Sequence, residues 1–131
     1  MPTIKLSDQL LTLLRQKNLT TKELLLIADD GGGKYSLRGG ACSIGTTFTL
    51  IVLDTADPDY DEPLVNAQDL HMWTSAYDSY FFSAGLVLDV VNHQIMLKDN
   101  AHILDSAVQI ANGATVLAAF KTGTKAKGEG C

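Results

Sequence analysis

The sequence predicts an α+β domain that is mainly β, with one N-terminal helix followed by short strands in mixed or antiparallel pairing and a sandwich-like arrangement. Three observations carry this. Leucines recur at helical spacing between Leu10 and Leu14, and the remainder of the chain breaks into short apolar runs closed by Gly, Asn, Asp or Pro. Strands and helices do not alternate, which argues against a doubly wound nucleotide-binding fold, and no repeat period is visible.

The first element is a short extended piece at Thr3–Leu6. Ser7 then has the chemistry of a helix N-cap, with Asp8 in the first turn, where a negative charge is favoured. Leu10, Leu11, Leu13 and Leu14 form one apolar stripe while Gln9, Thr12 and Gln16 face outward. Asn18 and Thr20 end this helix. Leu24–Ala28 is an apolar run of buried-strand length, broken by Asp29-Asp30-Gly31-Gly32-Gly33.

A polar, glycine-rich stretch runs on to Ser43, and Thr46–Leu53, rich in β-branched and aromatic residues, reads as the next strand. Asp57-Pro58 brings turn chemistry to an acidic loop, Asp54–Glu62. Shorter strand candidates follow at Leu64–Asn66 and His71–Trp73, then a helical turn from Ser75 to Phe81. Leu86–Val91 and Gln94–Lys98 make the clearest hairpin, because Asn92 tolerates the left-handed conformation that a two-residue turn needs. A last strand is expected at Ala107–Ile110, and Ala114–Phe120 is an apolar segment without a recognisable cap.

Size and charge bound the function. A chain of 131 residues, 46% hydrophobic and 19% charged, has the composition of one globular domain that folds without disulfides. Ten Lys and Arg against fifteen Asp and Glu give a net charge of -5, with no basic stretch dense enough for phosphates, so nucleic acid is not expected as a partner. No apolar run reaches the roughly 20 residues that span a bilayer, and the first residues lack a signal peptide's apolar segment. A cytoplasmic protein without membrane association is therefore expected. Two cysteines, Cys42 and Cys131, are too few for a disulfide framework.

The remaining polar residues offer little chemistry at meaningful spacing. His71, His93 and His102 fall in different elements and lack the short separations of zinc ligands. The acidic loop has Pro58 and no glycine at its turn, so it fails the EF-hand pattern and reads as a solvated loop. Gly31-Gly32-Gly33-Lys34 has neither P-loop nor dinucleotide spacing. Ser43 has no nucleophile-elbow context, and no catalytic constellation emerges, so an enzyme is not expected. Trp73, Tyr77, Tyr80, Phe81 and Phe82 are concentrated enough to build a metal-free binding surface for a protein or small ligand, although aromatic residues also fill cores.

Cys42 has two readings. A free cysteine often packs as a small hydrophobe. Alternatively, Gly39-Gly40-Ala41 exposes the thiol beside backbone N–H groups that favour the thiolate, suiting it to iron or persulfide sulfur.

Residues Ala28 to Asp54, ADDGGGKYSLRGGACSIGTTFTLIVLD, resemble the HesB/IscA-like iron–sulfur biosynthesis domain, in particular a YqkB-like branch. Gly40, Cys42, Ser43, Thr47, Phe48 and Asp54 occupy the places of its glycine loop, Gly-x-Cys-Ser element and strand ending in Asp. Leu86 to Ile110 resembles the hairpin and final strand of the same branch. The similarity spans about residues 3–110, giving a HesB-like domain at 1–113 and a tail at 114–131 that is expected to be flexible.

The resemblance implies an accessory of Fe–S cluster assembly, related to the A-type carriers, which receives iron or a cluster and passes it to apo-recipient proteins. It implies Cys42 as the cofactor-binding and metal-ligating residue, assembly machinery as a partner, and a homo-oligomer that pools thiols, since a cluster normally takes four. Only Cys42 matches the family's three cysteines. The stretch Ala107–Asn112 has none, and Cys131, after Gly128-Glu129-Gly130, is not assigned a ligand role. The alternative is the metal-free binding module on the same scaffold.

Overall fold

Ser7 opens the first helix as its chemistry predicts, its hydroxyl oxygen accepting the Leu10 N–H at 3.1 Å. The computed structural model describes residues 2–29, 34–35 and 47–121. In chain order they form β1 (Ile4–Leu6), α1 (Asp8–Gln16), β2 (Glu23–Asp29), β3 (Thr47–Leu53), β4 (Glu62–Pro63), β5 (Met72–Thr74), α2 (Ala76–Ser79), β6 (Leu86–Val91), β7 (Gln94–Lys98), β8 (Ile103–Asn112) and α3 (Gly113–Lys121).

The strands make one mixed sheet in the order β1-β6-β7-β8-β3-β2-β5-β4. Its longest ladder is antiparallel, β2 on β3, from Glu23 opposite Leu53 to Asp29 opposite Thr47. β8 flanks β3 in parallel, and β5 flanks β2 in parallel. The sheet curls until its two ends meet: Thr3 bridges Val65, Ile4 N–H donates to the Val65 carbonyl at 2.8 Å, and Val65 N–H donates to the Pro2 carbonyl at 3.0 Å.

The curl encloses the main core. Leu24, Leu26 and Ala28 of β2 and Phe48, Leu50 and Val52 of β3 point inward, where they meet Leu10, Leu11 and Leu14 of α1 and Leu86, Leu88 and Leu97 of the hairpin. The alternate residues Leu25, Ile27 and Ile51 point outward into a second core with Tyr35 and Val116. A strand buried on both faces has no polar alternation, which is why β2 and β3 read as continuous apolar runs.

The β6–β7 hairpin has the expected bounds, and Asn92 and His93 at its turn have φ of 52° and 66°. The sandwich is replaced by a single curled sheet, because joining β1 to Val65 lets one sheet enclose its own core. Among the described residues there are three helices in place of one. α2 is the expected turn, capped by Ser75, whose hydroxyl oxygen accepts the Asp78 N–H at 3.1 Å. α3 takes up the described part of the stretch assigned to the tail. Its cap is Asn112, whose side-chain oxygen accepts the Thr115 N–H at 3.1 Å, a signal hidden because Asn112 also ends β8. Gly113 lets this helix lie close to β3, since a Cβ there would sit 2.2 Å from Leu53 Cδ2 and 3.2 Å from the Val52 carbonyl oxygen.

Asp99 organises the β7–β8 turn. Its carboxylate accepts N–H groups from Ala101 at 2.8 Å, His102 at 3.0 Å and Ser83 at 3.1 Å, while Asn100 N–H reaches the Ala84 carbonyl. The turn is thereby tied to the entry of β6. The His102 amide above all, with those of Ala101 and Ser83, holds the Asp99 carboxyl below its ordinary 3.8 against the opposing effect of burial.

Two outcomes follow from this architecture. Leu50→Ala, at a fully buried site in the centre of β3, should lower unfolding free energy by about 2–5 kcal/mol in denaturant titrations. Because Asp99 has a depressed folded pKa, its stabilisation is complete above the ordinary value of 3.8 and is lost as pH falls through the folded value. The stability gap between wild type and Asp99→Asn, read from urea midpoints, should thus be constant near neutrality and narrow in acid. A gap that does not change with pH contradicts the role assigned to the carboxylate.

Candidate functional site

Residues 30–46, which carry Cys42, join two strand ends that are register partners, Asp29 and Thr47. The neighbouring strands stop short of these ends: β5 pairs with β2 at Leu24 and Leu25, and β8 pairs with β3 from Thr49 to Val52. Edge N–H groups there need other acceptors. Asp78 Oδ1 accepts the Ala28 N–H at 3.0 Å, while its Oδ2 accepts the Ser75 hydroxyl at 2.6 Å. Asp105 Oδ2 accepts the Phe48 N–H at 2.8 Å, and its Oδ1 accepts that of Ala107 at 2.9 Å. Phe82 packs on Phe48 with ring centroids 5.7 Å apart. Both roots of the connection are thus held by carboxylates from outside it.

Two residues within the connection are described, and both are anchored. Tyr35 is 2% exposed, lying on the outer face of β2 and β3 in the second core. Its hydroxyl donates to Asp57 Oδ2 at 2.6 Å, and its ring meets that of Tyr60 at 5.5 Å. Lys34 Nζ lies 2.8 Å from carboxylate oxygens of both Asp57 and Asp59, and 5.4 and 5.9 Å from the centroids of the Tyr35 and Tyr60 rings. Asp57 is itself fixed, since its Oδ1 accepts the Asp59 N–H at 2.9 Å.

Lys34 and Asp57 hold each other in their charged forms. Burial works against the Lys34 ammonium, but the bonds to Asp57 and Asp59 outweigh it and raise its pKa. Burial likewise favours neutral Asp57, yet Lys34, Tyr35 and the Asp59 amide hold its carboxyl below the ordinary range. The Tyr35 phenol is pushed up by burial and by its bond to Asp57, and that of Tyr60 to about 12 by burial and by the charge of Asp78. A cleft of about 530 Å³ opens beside the cluster, lined in part by Lys34, Asp57, Asp59, Asn112 and Leu117.

The acidic loop is solvent-exposed at Asp54, Thr55, Ala56, Pro58, Asp59 and Asp61, as its reading as a solvated segment expects, and departs from that reading at Asp57. The Asp57 side chain is only 10% exposed because it serves as the acceptor for the connection. Lys34 next to the glycine run and Tyr35 after it were the available signals, but their partners lie more than twenty residues away and local spacing does not pair them.

Cys42, Ser43, the glycines flanking them and Cys131 lie outside the described residues. The three histidines are dispersed as expected. His71 Nδ1 lies 2.6 Å from Glu23 Oε2, while Glu23 Oε1 accepts the Trp73 indole N–H at 2.8 Å; His93 sits in the hairpin turn, and His102 lies beside Asp99. Among the described residues no three His, Cys, Asp or Glu side chains group to hold a metal ion, and no helix is long and apolar enough to cross a membrane. The aromatic group divides: Phe81 and Phe82 pack on the core and Trp73 is bonded to Glu23, whereas Tyr77 in α2 and Tyr80 at its C-terminal end are exposed.

The fold can be set beside known proteins. It is similar to that of a candidate Fe–S biosynthesis protein from Lactobacillus acidophilus, with a TM-score of 0.82 and 34% identity over 93% of this chain and 99% of that one. A candidate Fe–S biosynthesis protein from Lactobacillus salivarius is similar with a TM-score of 0.62 over 85% of this chain and 98% of that one; at 21% identity the likeness is one of fold alone. No curated protein matches. The model of the family described as iron-sulphur cluster biosynthesis matches residues 2–112, a range that takes in every strand and the whole Cys42 connection. In agreement with the HesB/IscA resemblance of its sequence, this chain belongs to the iron–sulphur cluster biosynthesis family.

Proposed function

We propose that this chain is an accessory of Fe–S cluster assembly that takes up iron or a cluster at Cys42 and delivers it to apo-recipient proteins. The observation that carries this reading is the family match across residues 2–112, which includes the Cys42 connection. Iron or cluster is here cargo, and the chain acts as a carrier rather than a catalyst, working with assembly machinery in the cytoplasm.

The donor count sets how the cargo is held. A cluster normally takes four thiolates, and one chain has two cysteines, of which only Cys42 matches the family motif. A single copy leaves the cargo's shell open. A homo-oligomer that brings Cys42 thiols together supplies more of that shell, and an incompletely closed shell suits cargo that has to leave.

A second reading, a metal-free binding module, draws on the exposure of Tyr77 and Tyr80, the latter 88% exposed. Aromatic residues of this kind, apolar in body and polar at the tip, suit a protein interface.

Anaerobic reconstitution with ferrous iron and sulfide separates the two. Under the carrier reading, wild type develops visible absorption and retains iron, and Cys42→Ser loses both. Equal iron retention by the two proteins contradicts Cys42 as the ligand. Failure of both to retain iron favours the metal-free module.

A further inference from the structure

We infer that the cleft over the seam of the sheet binds a small monocarboxylate with an apolar body, its carboxylate on Lys5 and its chain along Val65 and Val87. Nothing in this inference draws on Cys42 or on cargo.

The seam explains why there is a cleft. β1 is three residues long and lies between β6, with Lys5 opposite Val87, and Val65, which Thr3 meets at a single bridge. Ile4 and Leu6 point into the core, so Lys5 and its register partner Val87 stand on the outer face. Past Val65 the chain turns away, and a cleft of about 470 Å³ opens on this face, lined in part by Thr3, Lys5, Val65, Gln68, Val87 and Asn100. That volume falls in the range of small-molecule sites, about 300–1,000 Å³.

Both walls are fixed before any ligand arrives. On one side Asn66 holds its own loop: its amide nitrogen donates to the Leu64 and Leu70 carbonyls at 3.1 and 2.9 Å, and its side-chain oxygen accepts the Leu70 N–H at 2.8 Å. On the other, Gly85 has a φ of 83° and the Asn100 N–H donates to the Ala84 carbonyl at 3.0 Å. The Asn100 side chain lies directly over Gly85, where a Cβ would come within 2.2 Å of its Oδ1, so only glycine leaves it that place.

The chemistry of the lining selects the ligand. Among the described residues that line the cleft, Lys5 is the one charged group, and the side chains of Lys5, Gln68 and Asn100 make no hydrogen bond or ion pair. The two oxygens of a carboxylate accept from an ammonium and an amide at once. A dianion such as a phosphate monoester would leave one charge uncompensated on a chain already at -5. Val65 is 43% exposed, so an apolar chain laid on it and on Val87 removes from water a surface that the fold itself leaves uncovered.

The test is a titration of the nitrogen-15-labelled full chain with sodium octanoate at neutral pH, followed through backbone amide shifts. Saturable shifts should gather at Lys5, residues 65–68, residues 85–87 and Asn100. Butyrate, four methylenes shorter, should bind at least about tenfold more weakly, and octylamine, with the same chain and the opposite charge, should leave these amides unmoved. Lys5→Met keeps the stem, removes the charge and should weaken octanoate binding about fivefold or more. Val65→Ser, at an exposed side chain, should weaken it about threefold or more. Lys17→Met, at an exposed lysine on the end of α1, should bind as wild type does. The inference is overturned by an absence of saturable shifts at the cleft, by equal shifts with octylamine, by unchanged affinity in Val65→Ser, or by affinities of Lys5→Met and Lys17→Met within about twofold of each other.

Discussion

The β2–β3 ladder is the constraint on which the rest of the structure depends. Seven residue pairs join two strands that are apolar on both faces, so the sheet has to be covered on both sides. The inner face is covered by the curl of the sheet itself and by α1. The outer face is covered by α3 and by a tyrosine from the connection between the same two strands. Loss of apolar burial at this ladder would therefore undo the helix docking and the seating of the connection together.

Carboxylates do the complementary work at the ends of the strands. Asp78 and Asp105 accept edge N–H groups where neighbouring strands have stopped, Asp99 gathers three amides of one turn, and Asp57 receives Lys34 and Tyr35. Four of the fifteen acidic residues thus have structural work. An ionised carboxylate accepts several hydrogen bonds at once, which suits it to positions where a sheet's regular pairing runs out. The connection carrying Cys42 is bounded by three such groups, two at its roots and one at Tyr35.

What was legible in the sequence follows the range of the forces involved. α1, the β6–β7 hairpin, β2 and β3 are encoded by local periodicity, a cap or a turn residue, and they lie where those signals put them. The single curled sheet was not legible, because the Pro2–Val65 closure joins residues whose own neighbourhoods carry no sign of it. α3 was hidden by Asn112, which serves at once as strand end and helix cap. The contacts of Lys34 and Tyr35 with Asp57 were not legible: Lys34 and Tyr35 read as part of a polar glycine-rich stretch, and Asp57 as part of a solvated loop. Each has its partner across the fold, and only the packing of the second core brings them together.

The family match and the fold place the chain in the iron–sulphur cluster biosynthesis family, and the proposed carrier has one thiol that matches the family motif. Such a carrier cannot close a four-thiolate shell within one copy. The most direct test of this account is native mass spectrometry of the anaerobically loaded protein, which reads iron content and chain number in the same species. The account predicts iron in assemblies of more than one chain, lost with Cys42→Ser. Iron held by single chains, to the same extent in wild type and Cys42→Ser, would contradict it.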